Sequence, residues 1–347
     1  MWVLRCAWVS AQRLSGKISD VAFPLDFGRV GVVQSKIMKI AQLFLVIVGM
    51  VGMSAFGGRT PWTHQNFQND PDDFRFAIVP DRGGGDYRGA FTNALACVNL
   101  MRPEFVMTVG DLITGLKKPD ILRKQQAELT NMTAKVVAPF FYVVGNHDIT
   151  RSSPCYTNNN EESRMVWKEF YGDNTYYSFT YKKCLFVCLN TMEGRDMRKK
   201  QVGITAEQYV WARKTLAENA DVRWTFFFMH QPGEWKTSAW EKFEKNDLKG
   251  RRYTVFAGDW HEYLHARRYG HDYYVLSVAG GVSANNKEDS RTLLGPEYGE
   301  MDHITWVTMT KDGPVVANLK LDGIFAGDYL NQSNTKAPPR KFKIDKE

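Results

Sequence analysis

Residues 140–148 read FFYVVGNHD, and this stretch decides the fold. Five apolar residues, all of them aromatic or β-branched, describe a buried strand. They stop abruptly at Gly145, and Asn146, His147 and Asp148 follow at once. Outward in both directions the pattern repeats. FAIVP at 76–80 ends in Asp81, FVMTVG at 105–110 in Asp111, WTFFFM at 224–229 in His230, and TVFAG at 254–258 in Asp259, with His261 two residues on. Five apolar runs thus each deliver a metal-compatible side chain at the carboxyl end, which in an open α/β sheet is the edge that lines the ligand crevice. Oxygen and imidazole donors on rigid elements are what a divalent cation requires. Gly110, Gly145 and Gly258, each just before a candidate donor, are read as tight-turn residues.

Helical patterns separate the early strands, near Tyr87–Met101, Ile121–Val136 and Glu162–Phe170. A polar segment, Arg151–Asn160, reads as an insertion. Tyr176–Tyr181 and Cys184–Leu189 form an expected hairpin about Lys182 and Lys183. Thr205 is expected to cap a helix through Asn219. Strands follow at Tyr253–Ala257, Tyr263–Arg268 and Tyr273–Val278, with a closing hairpin at His303–Met309 and Val315–Leu321. The expected architecture is α/β, a layered sandwich of two mixed β-sheets flanked by helices.

The N-terminal region reads differently. Ile40–Met53 is the longest apolar run, follows Lys36 and Lys39, and ends in Ser54 and Ala55, the three-part pattern of a secretory signal. It falls short of a comfortable bilayer span of about 20 residues. Residues 1–55 are therefore read as an extension plus signal peptide, with Met38 as a possible true start. Residues 56–335 form the globular domain, and 336–347 a polar tail. The location expected is periplasmic or secreted, with membrane contact only through an uncleaved signal. The formal charge is +7 over 347 residues. Six basic residues against two acidic ones fall within the first 55, which leaves about +3 for the rest and argues against a nucleic-acid partner. Basic clusters at Arg195–Lys200 and Lys249–Arg252 read as solvated faces. Cys97, Cys155, Cys184 and Cys188 lack metal-site spacing. Cys155 could enter a disulfide, whereas Cys184 and Cys188 share one strand face and read as buried thiols. No Gly-x-Ser-x-Gly elbow or Walker motif is present.

The series Asp81-Arg82-Gly83, Gly110-Asp111, Gly145-Asn146-His147-Asp148, His230 and Gly258-Asp259-Trp260-His261 resembles the calcineurin-like metallophosphoesterase superfamily. Its motifs run D-x-H, G-D, G-N-H-[DE], a lone His and G-H-x-H. VPDRGGG, YYSF and LNT give the closest likeness to exported bacterial members. The resemblance implies that Asp111 bridges two metals, one completed by Asp81 and His261, the other by Asn146, His230 and the residue at 259. It further implies phosphate-ester hydrolysis by a metal-activated hydroxide, with His147 protonating the leaving alkoxide or stabilising the transition state. Asp148 is expected to orient His147, and Arg82 either to meet a phosphate oxygen or to form a structural ion pair.

Two positions depart from the pattern. Gly83 stands where the motif has its first His, and Asp259 where the last motif has its first His. Asp86 is the nearest substitute donor. Carboxylate in place of imidazole favours Mn²⁺ or Mg²⁺, with Fe or Zn²⁺ possible, as one or two ions. The expected partner is a small-molecule or sugar phosphate ester. Oligomeric state is left open. The competing reading is a member that has lost catalysis and binds a phosphorylated or anionic ligand. Trp235, Trp240, Trp260 and Tyr263 are either stacking residues or core, and His303 is a rim candidate.

Overall fold

The structure is a computed structural model that describes residues 70–83, 89–115, 118–149, 161–193, 203–282 and 295–324. The signal-like segment, Met38, Asp86, the 151–160 insertion, Cys155, the 195–200 cluster and the C-terminal tail lie outside those residues.

Among the described residues, ten strands fall into two sheets. The first holds β1 (Phe74–Val79), β2 (Phe105–Thr108), β9 (His303–Thr310) and β10 (Gly313–Lys320) in the order β10-β9-β1-β2. The second holds β3 (Tyr177–Tyr181), β4 (Cys184–Cys188), β5 (Trp224–Phe228), β6 (Tyr253–Ala257), β7 (Leu264–Arg268) and β8 (His271–Val275) in the order β3-β4-β5-β6-β8-β7. β1 and β2 pair in parallel, as do β4, β5, β6 and β8 in turn, while β3, β7, β9 and β10 run antiparallel to their neighbours. Both sheets are therefore mixed, as expected. Toward the end of the chain β8 joins β6 in parallel.

Period-two side chains explain the layering. Phe74, Phe76 and Ile78 of β1 enter the core between the sheets, with Phe105, Phe186, Phe226, Phe228 and Phe256. Phe76 stacks on Phe105 at 5.1 Å, and Phe186 on Phe226 at 5.0 Å. Ala77 and Val79 face the other way, onto α1 (Ala90–Met101) and α2 (Pro119–Thr133). The outer face of the second sheet packs on α5 (Ala206–Glu218) and α6 (Ser238–Asn246). Two further helices, α3 (Asn146–Ile149) and α4 (Glu161–Tyr171), sit between these along the chain. Thr205 caps α5 by accepting the Gln208 N–H at 3.2 Å. Lys182 and Lys183 turn the β3–β4 hairpin at positive φ, 42° and 57°.

One expected strand is absent. Residues 140–144 run beside β2 but touch its ladder only at Val106 and Phe140. The buried Thr108 hydroxyl donates to the Phe141 carbonyl at 3.3 Å and accepts the Val143 N–H at 2.8 Å. A side chain here does the work of the backbone ladder, so the segment is held without being a strand. Cys97, Cys184 and Cys188 are buried free thiols. No described helix is long and apolar enough to cross a membrane.

Candidate metal centre

The parallel strands of both sheets end on one side of the molecule, and their following loops meet there. Asp81 follows β1, Asp111 follows β2, Asn146 and His147 open α3, His230 follows β5, and Asp259 and His261 follow β6. The two sheets are tied across this point, since the Asp259 N–H donates to Asp81 Oδ2 at 2.8 Å, while within the second sheet the Gly258 N–H donates to the His230 carbonyl at 2.8 Å.

His230 is fully buried, and its Nδ1 donates to the Val109 carbonyl at 2.8 Å, which turns Nε2 inward. Around Nε2 stand Asn146 Oδ1 at 3.0 Å, Asp111 Oδ2 at 3.2 Å and Asp259 Oδ1 at 3.4 Å. One ring N–H cannot serve three oxygens, whereas a cation can. On the other side His261 Nδ1 donates to the Val282 carbonyl at 2.8 Å and Nε2 faces Asp81 Oδ2 at 3.6 Å. Asp81 Oδ1 is buried with no hydrogen-bond partner. Ligand atoms of Asp81, Asp111 and His230 lie within 4.8 Å of one another. The donor chemistry and the orphaned carboxylate oxygen both fit a divalent cation.

Electrostatics point the same way. Burial pushes the Asp81 carboxyl well above its ordinary range, against the pull of His230. Burial would also raise Asp111, but the adjoining His230 and His147 outweigh it and hold Asp111 well below the carboxylate range. Burial opposes charge on His230, yet Asp111, Asp259 and Asp81 raise it well above an ordinary imidazole. The cluster of carboxylates thus holds a proton on His230 where a cation would serve better.

Backbone conformation is spent on this arrangement. Asp111, Asp259 and His261 sit at φ 54°, 69° and 58°, the left-handed region that non-glycine residues rarely occupy. Of the three glycines read as turn residues, only Gly110 has positive φ, at 96°. Gly145 and Gly258 answer a different need. A Cβ there would lie 2.2 Å from Asp111 Oδ1 and 2.3 Å from Asp81 Oδ1, so they are glycine because the carboxylates lie against them.

Three expected roles are corrected. Asp148 does not orient His147: its carboxylate accepts the N–H groups of Asp111 at 2.9 Å, Gly145 at 2.8 Å and Leu112 at 3.3 Å. Burial and the nearby Asp111 charge raise its pKa to about 6. His147 is oriented by the Thr114 carbonyl, 2.5 Å from Nδ1, leaving Nε2 3.8 Å from Asp111 Oδ2. Arg82 reaches α2 through its guanidinium. Its guanidinium donates to Glu128 at 3.0 Å and to the Leu112 carbonyl at 3.3 Å, the ion-pair alternative of the two that its position allowed. His303 is no rim residue, being fully buried, accepting the Ser277 N–H at 3.1 Å and pushed down to about 4 by burial. Trp235 and Trp240 belong to the core, while Trp260 is half-buried and carries the Lys236 ammonium 5.3 Å from its ring centroid.

Sequence reading missed three carbonyls, of Thr114, Val109 and Val282, because a main-chain oxygen leaves no residue-type signal. It also missed Gln231, whose Nε2 donates to Asp259 Oδ1 at 3.4 Å; its place beside His230 was the available clue.

The family model for calcineurin-like phosphoesterases matches residues 74–277, more than half of the chain. The chain belongs to that family. No curated protein sequence matches it. Among solved structures, PhoD superposes with a TM-score of 0.52 at 14% identity, over 77% of this chain and 72% of that one. GAP50, described as the anchor in the inner membrane complex of Plasmodium, gives 0.49 at 15% identity over 73% and 86%. A dimetal phosphatase from Danio rerio gives 0.45 at 14% over 71% and 98%. At these identities the PhoD likeness bears on fold alone, and it agrees with the two-sheet sandwich of this phosphoesterase.

Proposed function

We propose that this calcineurin-like phosphoesterase hydrolyses a small-molecule or sugar phosphate ester outside the cytoplasm. The divalent cation it uses would be held by Asp81, Asp111, Asn146, His230, Asp259 and His261. The observation that carries the reading is the convergence of these six donors from five loops, with Asp81 Oδ1 buried and unpartnered among them. A bound cation supplies Lewis acidity, drawing charge from phosphate oxygens and making a water more acidic. Four of the six donors are oxygens, which favours Mn²⁺ or Mg²⁺.

The chain's own residues supply the rest. His147 has its Nδ1 committed to Thr114, so Nε2 is free to present a proton to a departing alkoxide, and its side chain is 17% exposed, open to a bound ester. Asp148 fixes the main chain that carries Asp111 and Asn146. Arg82 braces the first loop against α2.

The decisive experiment measures hydrolysis of an aryl phosphate by metal-stripped protein with Mn²⁺ added, alongside bound-metal analysis. Metal-dependent turnover supports the reading. Tight metal binding with no hydrolysis of varied phosphate esters favours the ligand-binding alternative, to which Gly83 and Asp259 lend weight. Export carries its own test: the secreted or periplasmic protein is expected to begin between about Ala55 and Gly58, and an intact Met1 or Met38 terminus there would overturn it.

A further inference from the structure

The turn after β1 is built directly against the turn after β2. The N–H groups of Arg82 and Gly83 both donate to the Asp111 carbonyl, at 3.0 and 2.6 Å. A Cβ on Gly83 would lie 2.6 Å from the Ile113 carbonyl oxygen, 2.9 Å from the Asp111 carbonyl oxygen and 3.3 Å from Asp111 Cβ. Two of the three obstacles are main-chain atoms, so no rotamer change relieves them. That main chain cannot shift cheaply either. Asp111 holds a left-handed φ of 54°, and Asp148 grips the N–H groups of Asp111 and Leu112 from the far side. Behind Gly83 the packing is also close, since a Cβ on Gly281 would reach its carbonyl oxygen at 3.2 Å.

We infer that Gly83 is a positioning residue and not a vacated ligand position: its missing side chain lets the first loop close on the second and so aims the Asp111 carboxylate at His230. The space an imidazole would enter is filled by the backbone of residues 111–113. The inference rests on the cluster being a cation site, and it explains how the first motif can lack its imidazole without leaving a hole.

A vacated slot and a clamp predict opposite results for an imidazole placed there. Full-length wild type, Gly83→Ala and Gly83→His, stripped of metal, would be titrated with Mn²⁺ by calorimetry well below their melting temperatures, with bound metal counted by elemental analysis. The clamp predicts that both variants bind Mn²⁺ roughly 10–100-fold more weakly, the range seen when residues behind metal ligands are changed. His should do no better than Ala, and neither should gain an equivalent. A merely structural role would lower the metal-free melting temperature and leave the affinity of the folded protein unchanged. Gly83→Ala with wild-type affinity, or Gly83→His with tighter binding or an added equivalent, overturns the inference. Should the Gly83 variants fail to fold, Asp148→Asn reads the clamp from its other side and is expected to weaken Mn²⁺ comparably; unchanged affinity there overturns it too. Wild type that binds Mn²⁺ but hydrolyses nothing removes the proposed activity and leaves this affinity comparison to decide. Wild type that binds no divalent cation removes the cation reading and the inference with it.

Discussion

His147, like His230 and His261, has its Nδ1 committed to a main-chain carbonyl, and it differs from them in that its Nε2 stands at the margin of the carboxylate cluster. Nδ1 is fixed by Thr114, and Nε2 stands 3.8 Å from Asp111 Oδ2, farther than the 3.2 Å of His230 Nε2. A residue so placed can give up a proton without releasing a metal. His147→Ala is therefore expected to lower kcat by roughly 10²–10⁴-fold on esters with poor leaving groups while bound metal stays near wild type. The loss should shrink for an aryl phosphate, whose leaving group needs little protonation. Asp111→Ala, in contrast, should lose metal and turnover together. Elemental analysis beside steady-state kinetics separates the two, and loss of metal in His147→Ala would place that imidazole among the ligands.

Between elements, side chains replace backbone pairing where the site needs irregular chain. Thr108 on β2 anchors the segment that ends in Asn146 and His147, and Thr108→Val would orphan the buried Val143 N–H at a cost of about 1–3 kcal/mol. A denaturant melt should show that loss, and weaker metal binding should accompany it. Glu234 plays a comparable part beside α5, accepting Tyr209 Oη at 2.5 Å, Thr237 Oγ1 at 3.2 Å and the Ile204 N–H at 3.2 Å. Burial raises its pKa from 4.5 to about 7. Folding therefore takes up a proton between those values, so its contribution to stability is greatest below pH 4.5 and falls as pH rises toward 7. The fall amounts to roughly 3 kcal/mol. Glu234→Gln can donate to the two hydroxyls and still accept from Ile204, so urea melts from pH 4 to 8 should lose that component of the decline. The strands and most helices were legible because their apolar runs have clear ends: β1, β2, β5, β6 and α5 fall within two residues of their expected bounds. What was illegible depended on partners distant in sequence. Nothing in FFYVV announces that Thr108 will take its ladder bonds. Nothing in Lys249–Arg252 announces that Arg251 will turn inward to the Leu216 and Asn219 carbonyls at the end of α5, at 2.8 and 3.0 Å. The candidate donors were legible as residue types at strand ends, whereas the orientations of Asp148 and Arg82 were not.

At the scale of the whole molecule, the two sheets share one aromatic core and meet again at the donor cluster, so the charge balance there bears on the stability of the entire fold. Asp81, Asp111, Asp148 and Asp259 crowd together, and His230 is raised well above an ordinary imidazole beside them. A cation that binds the native state alone stabilises it by about 2.7 kcal/mol at a concentration 100 times its Kd. Mn²⁺ should accordingly raise the melting temperature of the wild type by several degrees, and a chelator should reverse the gain. Asp81→Asn tests the origin of that effect. An Asn oxygen can still accept the Asp259 N–H that ties the sheets, so the fold keeps its link while losing a buried carboxylate that burial and its acidic neighbours disfavour. Metal-free Asp81→Asn is thus expected to melt higher than metal-free wild type, by about 0.5–2 kcal/mol, the usual gain when a site is relieved of its functional charge. It should also respond less to Mn²⁺. Scanning calorimetry of both proteins, with chelator and with Mn²⁺, checks the pair of expectations. A metal-free Asp81→Asn less stable than wild type would show that this carboxylate serves the fold before it serves any cation.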